Sequence, residues 1–166
     1  MTDNSTNTPS AIPSHPVSIS TMSPPHTARS ILNAFYAAER IYMSAPPDQR
    51  DFSGIAATIA PSCRLEQTAA LPYAGTYFGP EGMQAWGEQM ANYFSIVDVQ
   101  NPEIFERDGS NRIVVLSTIH LRVRKTGEDL SYPFCQAVTV DLHLGQITEM
   151  RPFYWDVAGL NQALQG

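Results

Sequence analysis

The closing stretch of the chain, Ile147 to Leu164, reads ITEMRPFYWDVAGLNQAL. Its β-patterned part alternates Met150, Pro152, Tyr154 and Asp156 against Glu149, Arg151, Phe153 and Trp155. If the first set faces a pocket, Asp156 is a carboxylate walled by aromatic rings. Its charged form is then disfavoured, and its pKa rises toward the range of a general acid or base. Tyr154 would donate to a carbonyl or enolate oxygen, and Trp155 would add to the aromatic wall. The simpler alternative makes the aromatics core and Asp156 the N-cap of a short closing helix.

His120 is the other candidate proton carrier, since histidine titrates near neutrality. His15 and His26 fall in an N-terminal tail, and His143 lies beside a turn. The strand carrying His120 sets Val115, Ser117, Ile119, Leu121 and Val123 on one face. Val114, Leu116, Thr118, His120, Arg122 and Arg124 share the other. Apolarity makes the first face the pocket wall, so catalysis by His120 and a polar surface role stand side by side. In the next strand Tyr132, Phe134, Gln136, Val138, Val140 and Leu142 form the bulkier face, with Gln136 its polar member in mid-strand. A buried amide must be hydrogen-bonded, so Gln136 either orients a substrate or ties to a neighbour. Arg40 stands four residues after Tyr36. Buried over a pocket it needs a partner, Asp156 or a carbonyl-rich substrate; otherwise it is a surface arginine. Tyr73, on a Pro/Gly-punctuated link, is the expected rim residue, while Trp86 and the other tyrosines pack as core.

These groups need a scaffold, and the pattern supplies one. Residues 1–26 are rich in Ser, Thr, Pro and Asn with few large apolar side chains, the composition of a disordered tail. Residues 27–166 form one domain. Thr27 caps a helix from Ala28 to about Ser44 with Ile31, Phe35, Ala38 and Tyr42 at helical spacing. A short second helix opens at Asp51 or Ser53, includes Ile59 and is stopped by Pro61. Cys63 to Ala69 alternates like a strand, and Leu71 to Phe78 is a hairpin-like link. Pro80 and Glu81 start a third helix that buries Met83, Trp86 and Met90. Four long strands follow, Ile96–Arg107, Ile113–Lys125, Ser131–His143 and Ile147–Tyr154, joined as antiparallel hairpins. The class is α+β, helices on one face of a curved antiparallel sheet.

Composition narrows the function classes. The net charge is -6 and Lys125 is the single lysine, so no basic stripe serves a nucleic-acid backbone. No apolar run approaches the roughly 20 residues that span a bilayer. Cys63 and Cys135 lack a partner motif and read as structural thiols in a reducing, cytoplasmic setting. No histidine or acid pair has metal-ligand spacing with a third partner, and no Ser or Cys sits in a nucleophile elbow.

Three segments, DFSGIAATIAPSCRLEQT, YAGTYFGPEGMQAW and GQITEMRPFYWDVAGL, carry a resemblance to the nuclear transport factor 2-like superfamily. Within it the chain is most similar to ketosteroid isomerases and SnoaL-like polyketide cyclases. The resemblance implies a cone-shaped sheet wrapped around a deep apolar pocket, and a homodimer paired through the outer face. It also implies cofactor-free isomerisation, dehydration or cyclisation of an apolar polyketide-, terpenoid- or steroid-like substrate. Other members are non-catalytic binding or dimerisation modules, so fold alone does not choose. By this match Gln67 stands where ketosteroid isomerases carry a general-base carboxylate, and Val138 where they carry a second acid. Glutamine cannot take a proton at neutral pH, which leaves Gln67 to orient an oxygen. Glu66 nominally faces outward, as a surface charge, and would enter the pocket only through a bulge. The family's oxyanion tyrosine falls on Phe35 or Tyr36. The expected chemistry is therefore acid–base catalysis by Asp156 or His120, with Tyr154 and Arg40 stabilising negative charge and Gln67 and Gln136 orienting oxygens.

Overall fold

A computed structural model describes Met1 and residues 26–165. The expected tail lies, apart from Met1 and His26, outside the described residues. The first helix, α1 (Ala28–Ser44), starts at Thr27, whose hydroxyl accepts from the Ser30 amide at 3.0 Å while Ser30 Oγ accepts from the Thr27 amide at 3.0 Å. This reciprocal cap satisfies amides that no helical carbonyl reaches. Beyond a single 3-10 turn (Pro47–Gln49) comes α2 (Ser53–Ala56), followed by β1 (Ile59–Gln67), β2 (Gly75–Phe78) and α3 (Gly79–Tyr93). The strands β3 (Phe94–Phe105), β4 (Arg112–Val123), β5 (Asp129–Asp141) and β6 (Gln146–Tyr154) then lead to α4 (Val157–Gln165).

The six strands form one open sheet in the order β2-β1-β6-β5-β4-β3. All neighbours are antiparallel except β1 and β6, which run parallel. That pair corrects the all-antiparallel expectation. Hairpin turns dictate antiparallel neighbours only between consecutive strands, and β1 meets β6 across most of the chain. The second helix is also shorter than its spacing suggests, because Ile59 already belongs to β1 and Pro61 lies within that strand. Pro61 is tolerated there because the β1–β6 register is interrupted between Ile59 and Arg64, and a bulge accommodates a residue without an N–H.

Irregularities of the same kind curve the sheet. In β3 the register slips between Gln100 and Glu103, and Asn101 takes a left-handed φ of 50°, a conformation asparagine tolerates. Further slips fall between Phe94 and Ile96 in β3 and between Thr139 and Val140 in β5. Bulges bend and further twist the strands that carry them. Over the resulting concave face lie α1, which packs on β3, and α3, which packs on β1. Their buried side chains, including Ile31, Leu32, Phe35, Met83 and Met90, join Val115, Ile119, Leu121, Val138 and Ile147 of the sheet in one core.

The entry to α3 is the tightest point of this arrangement. Gly79 has φ +63°, and a Cβ there would stand 2.8 Å from the Pro61 carbonyl oxygen. Gly79→Ala should therefore destabilise the fold by about 1–3 kcal/mol, read as a lower midpoint in denaturant unfolding. An unchanged midpoint would show that the β2–α3 junction is not held as described.

Candidate active site

The helix α1 buries Ile31, Leu32, Phe35, Tyr36, Glu39, Tyr42 and Met43. Glu39 is the exception in that stripe: a carboxylic acid 5% exposed. It lines an interior cavity between α1, α3 and the concave face of the sheet, with Gln67, Trp86, Gln136 and Tyr154 as the other polar members. Met90, Val97, Val99, Ile119, Phe134, Met150 and Pro152 make the apolar wall. The free space in it measures only about 10 Å³, room for about one water molecule.

The polar side chains divide into paired and unpaired. The Tyr36 hydroxyl donates to Gln136 Oε1 in a short hydrogen bond. Gln136 Nε2 points at the Met150 sulfur, 3.7 Å away. Gln136 is thus engaged at both ends, and it pins α1 to β5. In contrast, both amide atoms of Gln67, the hydroxyl of Tyr73 and Nε1 of Trp86 are buried with no hydrogen-bond partner. Buried polar groups are normally satisfied, and leaving one unpaired costs about 1–3 kcal/mol. Gln67 and Trp86 line the cavity, so the partners their atoms lack must come from whatever occupies it.

Burial governs the titration of these groups. Desolvation raises Glu39 to about 8; Arg40 opposes the rise and Asp98 adds to it. The Tyr154 phenol is pushed up to about 12 by burial, opposed by the neighbouring Tyr73 hydroxyl and Gln67 amide and reinforced by Glu39. Neither neighbour makes a hydrogen bond of ordinary geometry with it. Burial also raises Tyr36, with Glu39 a second cause. At neutral pH the cavity thus holds a carboxyl group that is mostly protonated but exchanges its proton within the physiological range.

Of the residues singled out from the sequence, Gln67, Gln136 and Tyr154 line this cavity, and the others lie elsewhere. Asp156 caps α4, its Oδ1 accepting from the Gly159 amide at 2.8 Å. The strand alternation that aimed Asp156 inward ends with β6 at Tyr154, and Trp155 stands in a bend 79% exposed to solvent. His120 occupies the outer face, with Nε2 3.0 Å from Asp129 Oδ1, and Arg122 Nε is 2.8 Å from the same oxygen. Arg40 is half-exposed and paired with Asp98 at 2.8 Å, because one helical step beyond Glu39 carries it off the buried stripe. Glu66 belongs to an outer cluster with Arg64 and Arg151. Tyr73 is no rim residue: it is fully buried, edge-on to Phe94 and Tyr154. Glu39 itself was missed. The available signal was its position four residues after Phe35 and three before Tyr42, an acid inside the apolar stripe of α1.

Among the described residues no group of three or more His, Cys, Asp or Glu could hold a metal ion, and no helix is long and apolar enough to cross a membrane. Cys63 is fully buried, and burial pushes its thiol up to about 11, as for an unreactive core residue.

Glu39 gives a stability test with a definite sign. Its ordinary pKa of 4.5 rises to about 8 in the folded chain. Between those values the folded state holds a proton that the unfolded state has released. Stability is therefore full below about 4.5 and is lost as pH rises toward 8, by at most about 1.4 kcal/mol per pH unit. In urea unfolding across pH 5–8, Glu39→Gln should be free of this loss and gain steadily on the wild type. Parallel profiles would mean that Glu39 is not buried in protonated form.

No protein-family model and no curated protein sequence matches the chain. Solved structures do match. TerC, co-crystallised with polyporic acid, superposes with a TM-score of 0.67 at 19% identity, covering 83% of this chain and 98% of that one. A nuclear transport factor 2-like protein of unknown function from Burkholderia pseudomallei gives 0.66 at 20% identity, covering 83% and 97%. A candidate SnoaL-like polyketide cyclase from Shewanella denitrificans gives 0.62 at 13% identity, again covering 83% and 97%. With its open six-stranded sheet and concave face under α1 and α3, the chain has the nuclear transport factor 2-like fold shared by these proteins.

Proposed function

We propose that the cavity is the active site of a cofactor-free isomerase or cyclase acting on a small polyketide- or terpenoid-like molecule, with Glu39 as its proton carrier. The observation that carries this is a single buried carboxyl group, held near the pKa a proton shuttle needs, in the same apolar cavity as the Tyr154 phenol. Asp156 and His120, neither of which lines that cavity, are given no part. At pH 7 roughly a tenth of Glu39 is ionised, and a base poised this close to the working pH is efficient in both directions. The Glu39 carboxylate removes a proton from the carbon next to a substrate carbonyl. The electron pair moves onto the carbonyl oxygen, where the Tyr154 hydroxyl donates to the enolate. Protonated Glu39 then returns the proton to another carbon, and a double bond has moved without net oxidation. In a cyclisation the same enolate carbon instead attacks a second carbonyl of the substrate, and Glu39 protonates the alkoxide that results.

TerC in its complex with polyporic acid and a protein of ketosteroid isomerase-like fold from Catenulispora acidiphila in complex with trimethylamine support a small-molecule role for a cavity in this fold. The narrowness of the void favours a second reading, a non-catalytic dimeric binding or dimerisation module. Exchange chemistry separates the two. In D2O, the protein should accelerate deuterium uptake at the activated carbons of the ketone 2-tetralone, followed by proton NMR, with a rate that rises as pH approaches 8. Glu39→Gln should lower the accelerated rate at least about 100-fold, and His120→Ala should leave it unchanged. Equal exchange in wild type and Glu39→Gln would remove the acid–base function; absence of acceleration in any form would favour the module.

A further inference from the structure

Resting on the acid–base site proposed above, the cavity carries a further specification of what enters it. Trp86, which its spacing on α3 marks as core, is 3% exposed, and its indole Nε1–H has no acceptor. An indole nitrogen is a donor only, so no rotation or tautomer of its own relieves it. Gln67, 7% exposed, offers an unpaired NH2 and an unpaired carbonyl from β1. Both side chains line the same cavity as Glu39. Gln136, the other amide there, is already occupied by Tyr36 and Met150 and does not compete for a ligand.

The charges around the cavity are as one-sided as the hydrogen-bond groups. No arginine, lysine or histidine is among its lining residues. The nearest cation in sequence, Arg40, is committed to Asp98 and half in solvent. An anionic ligand would enter a low-dielectric space with no countercharge, and would face Glu39 whenever that group ionised. An uncharged ligand with an oxygen acceptor meets neither cost and supplies what the two donors lack. Met90 and Met150 supply the adaptable part of the wall, since unbranched thioether side chains repack easily around a guest.

We infer that Trp86 and Gln67 are the specificity-determining donors of this site, and that they select a neutral, carbonyl-bearing ligand by donating Nε1–H and Nε2–H to its oxygen atoms. A ketone or quinone oxygen is an acceptor alone, so it meets the Trp86 indole without bringing a hydroxyl proton that needs an acceptor of its own.

Three probes of one shape test this: 2-tetralone, the hydrocarbon tetralin and the carboxylate of tetralin at the same ring position. Their affinities at pH 7 can be compared by ligand-observed NMR titration. The wild type should bind the ketone about tenfold tighter than the hydrocarbon, as one or two buried hydrogen bonds provide, and should bind the carboxylate least. Trp86→Phe and Gln67→Leu should each reduce the ketone-to-hydrocarbon ratio several-fold while hydrocarbon binding persists, which also shows that each variant is folded. A ratio unchanged in both variants would overturn the inference, because water would then satisfy these atoms as well as a ligand does. Carboxylate binding as tight as the ketone, or no ketone binding by the wild type, would overturn it too. The catalytic proposal fails separately. If Glu39→Gln keeps full deuterium exchange while the ketone preference stands, the recognition survives and the proton transfer does not. If exchange depends on Glu39 but both donor variants keep the preference, the reverse holds.

Discussion

Covering the concave face of the sheet with α1 is the constraint on which the rest of this structure depends. A curved sheet leaves a hollow that a straight helix cannot fill, and the side chains that bridge the gap decide whether it becomes solid core or a cavity. Toward one end of α1 the bridge is apolar, through Ile31, Leu32 and Phe35. One turn further on it is polar, with Tyr36 fastened to Gln136 of β5 and Glu39 left facing the hollow. The sheet's bulges, at Asn101 in β3 and beside Thr139 in β5, provide the curvature, and the Tyr36–Gln136 bond fixes the height of the helix above it. A carboxylic acid in that position costs stability as soon as it ionises. Such a cost is commonly found where a function requires it.

The two faces of the sheet separate charge from chemistry. Arg64, Glu66, Arg112, Glu149 and Arg151 form a connected set of ion pairs outside, and His120, Arg122 and Asp129 form another. Arg122 and His120 hold the Asp129 carboxyl down to about 2, Arg122 being the larger cause. These groups are in water, where ion pairs contribute little to stability. What they accomplish is negative: every cation is on the outside or spent on backbone carbonyls, as Arg124 is on Met43, Ala91 and Phe94. Glu39 is left without a neutralising partner within the cavity, and its proton stays on.

Much of this was legible in the chain. Alternation in β4 and β5 favours Gln136 inside and His120 outside, yet leaves His120 a candidate proton carrier, and in β6 it offers an inward Tyr154 as one of two readings. Alternation holds only while the chain remains a strand, so the same logic failed two residues past Tyr154, at Asp156, where the backbone bends into α4. Pairing between β1 and β6 was invisible because no turn connects them. Pro61 looked like a helix stop because a bulge opposite β6 has no signature in β1 alone. Glu39 was hidden by the habit of reading an acid in a helix as solvent-facing. A 3.6-residue count from Phe35 and Tyr42 places it on the buried face, but whether that face meets solid core or a hollow depends on the curvature of a sheet folded from the other end of the chain.

The central claim is that Glu39 is a buried acid that titrates near neutrality, and its side-chain carbon reports this directly. In protein labelled with carbon-13 at the glutamate carboxyl, the Glu39 resonance can be assigned by its loss in Glu39→Gln and followed through a pH titration. A midpoint of about 8, well separated from the surface glutamates, is the predicted result. A midpoint near the ordinary 4.5 would contradict the account, since it would mean that Glu39 is solvated or paired and that the cavity holds no proton carrier.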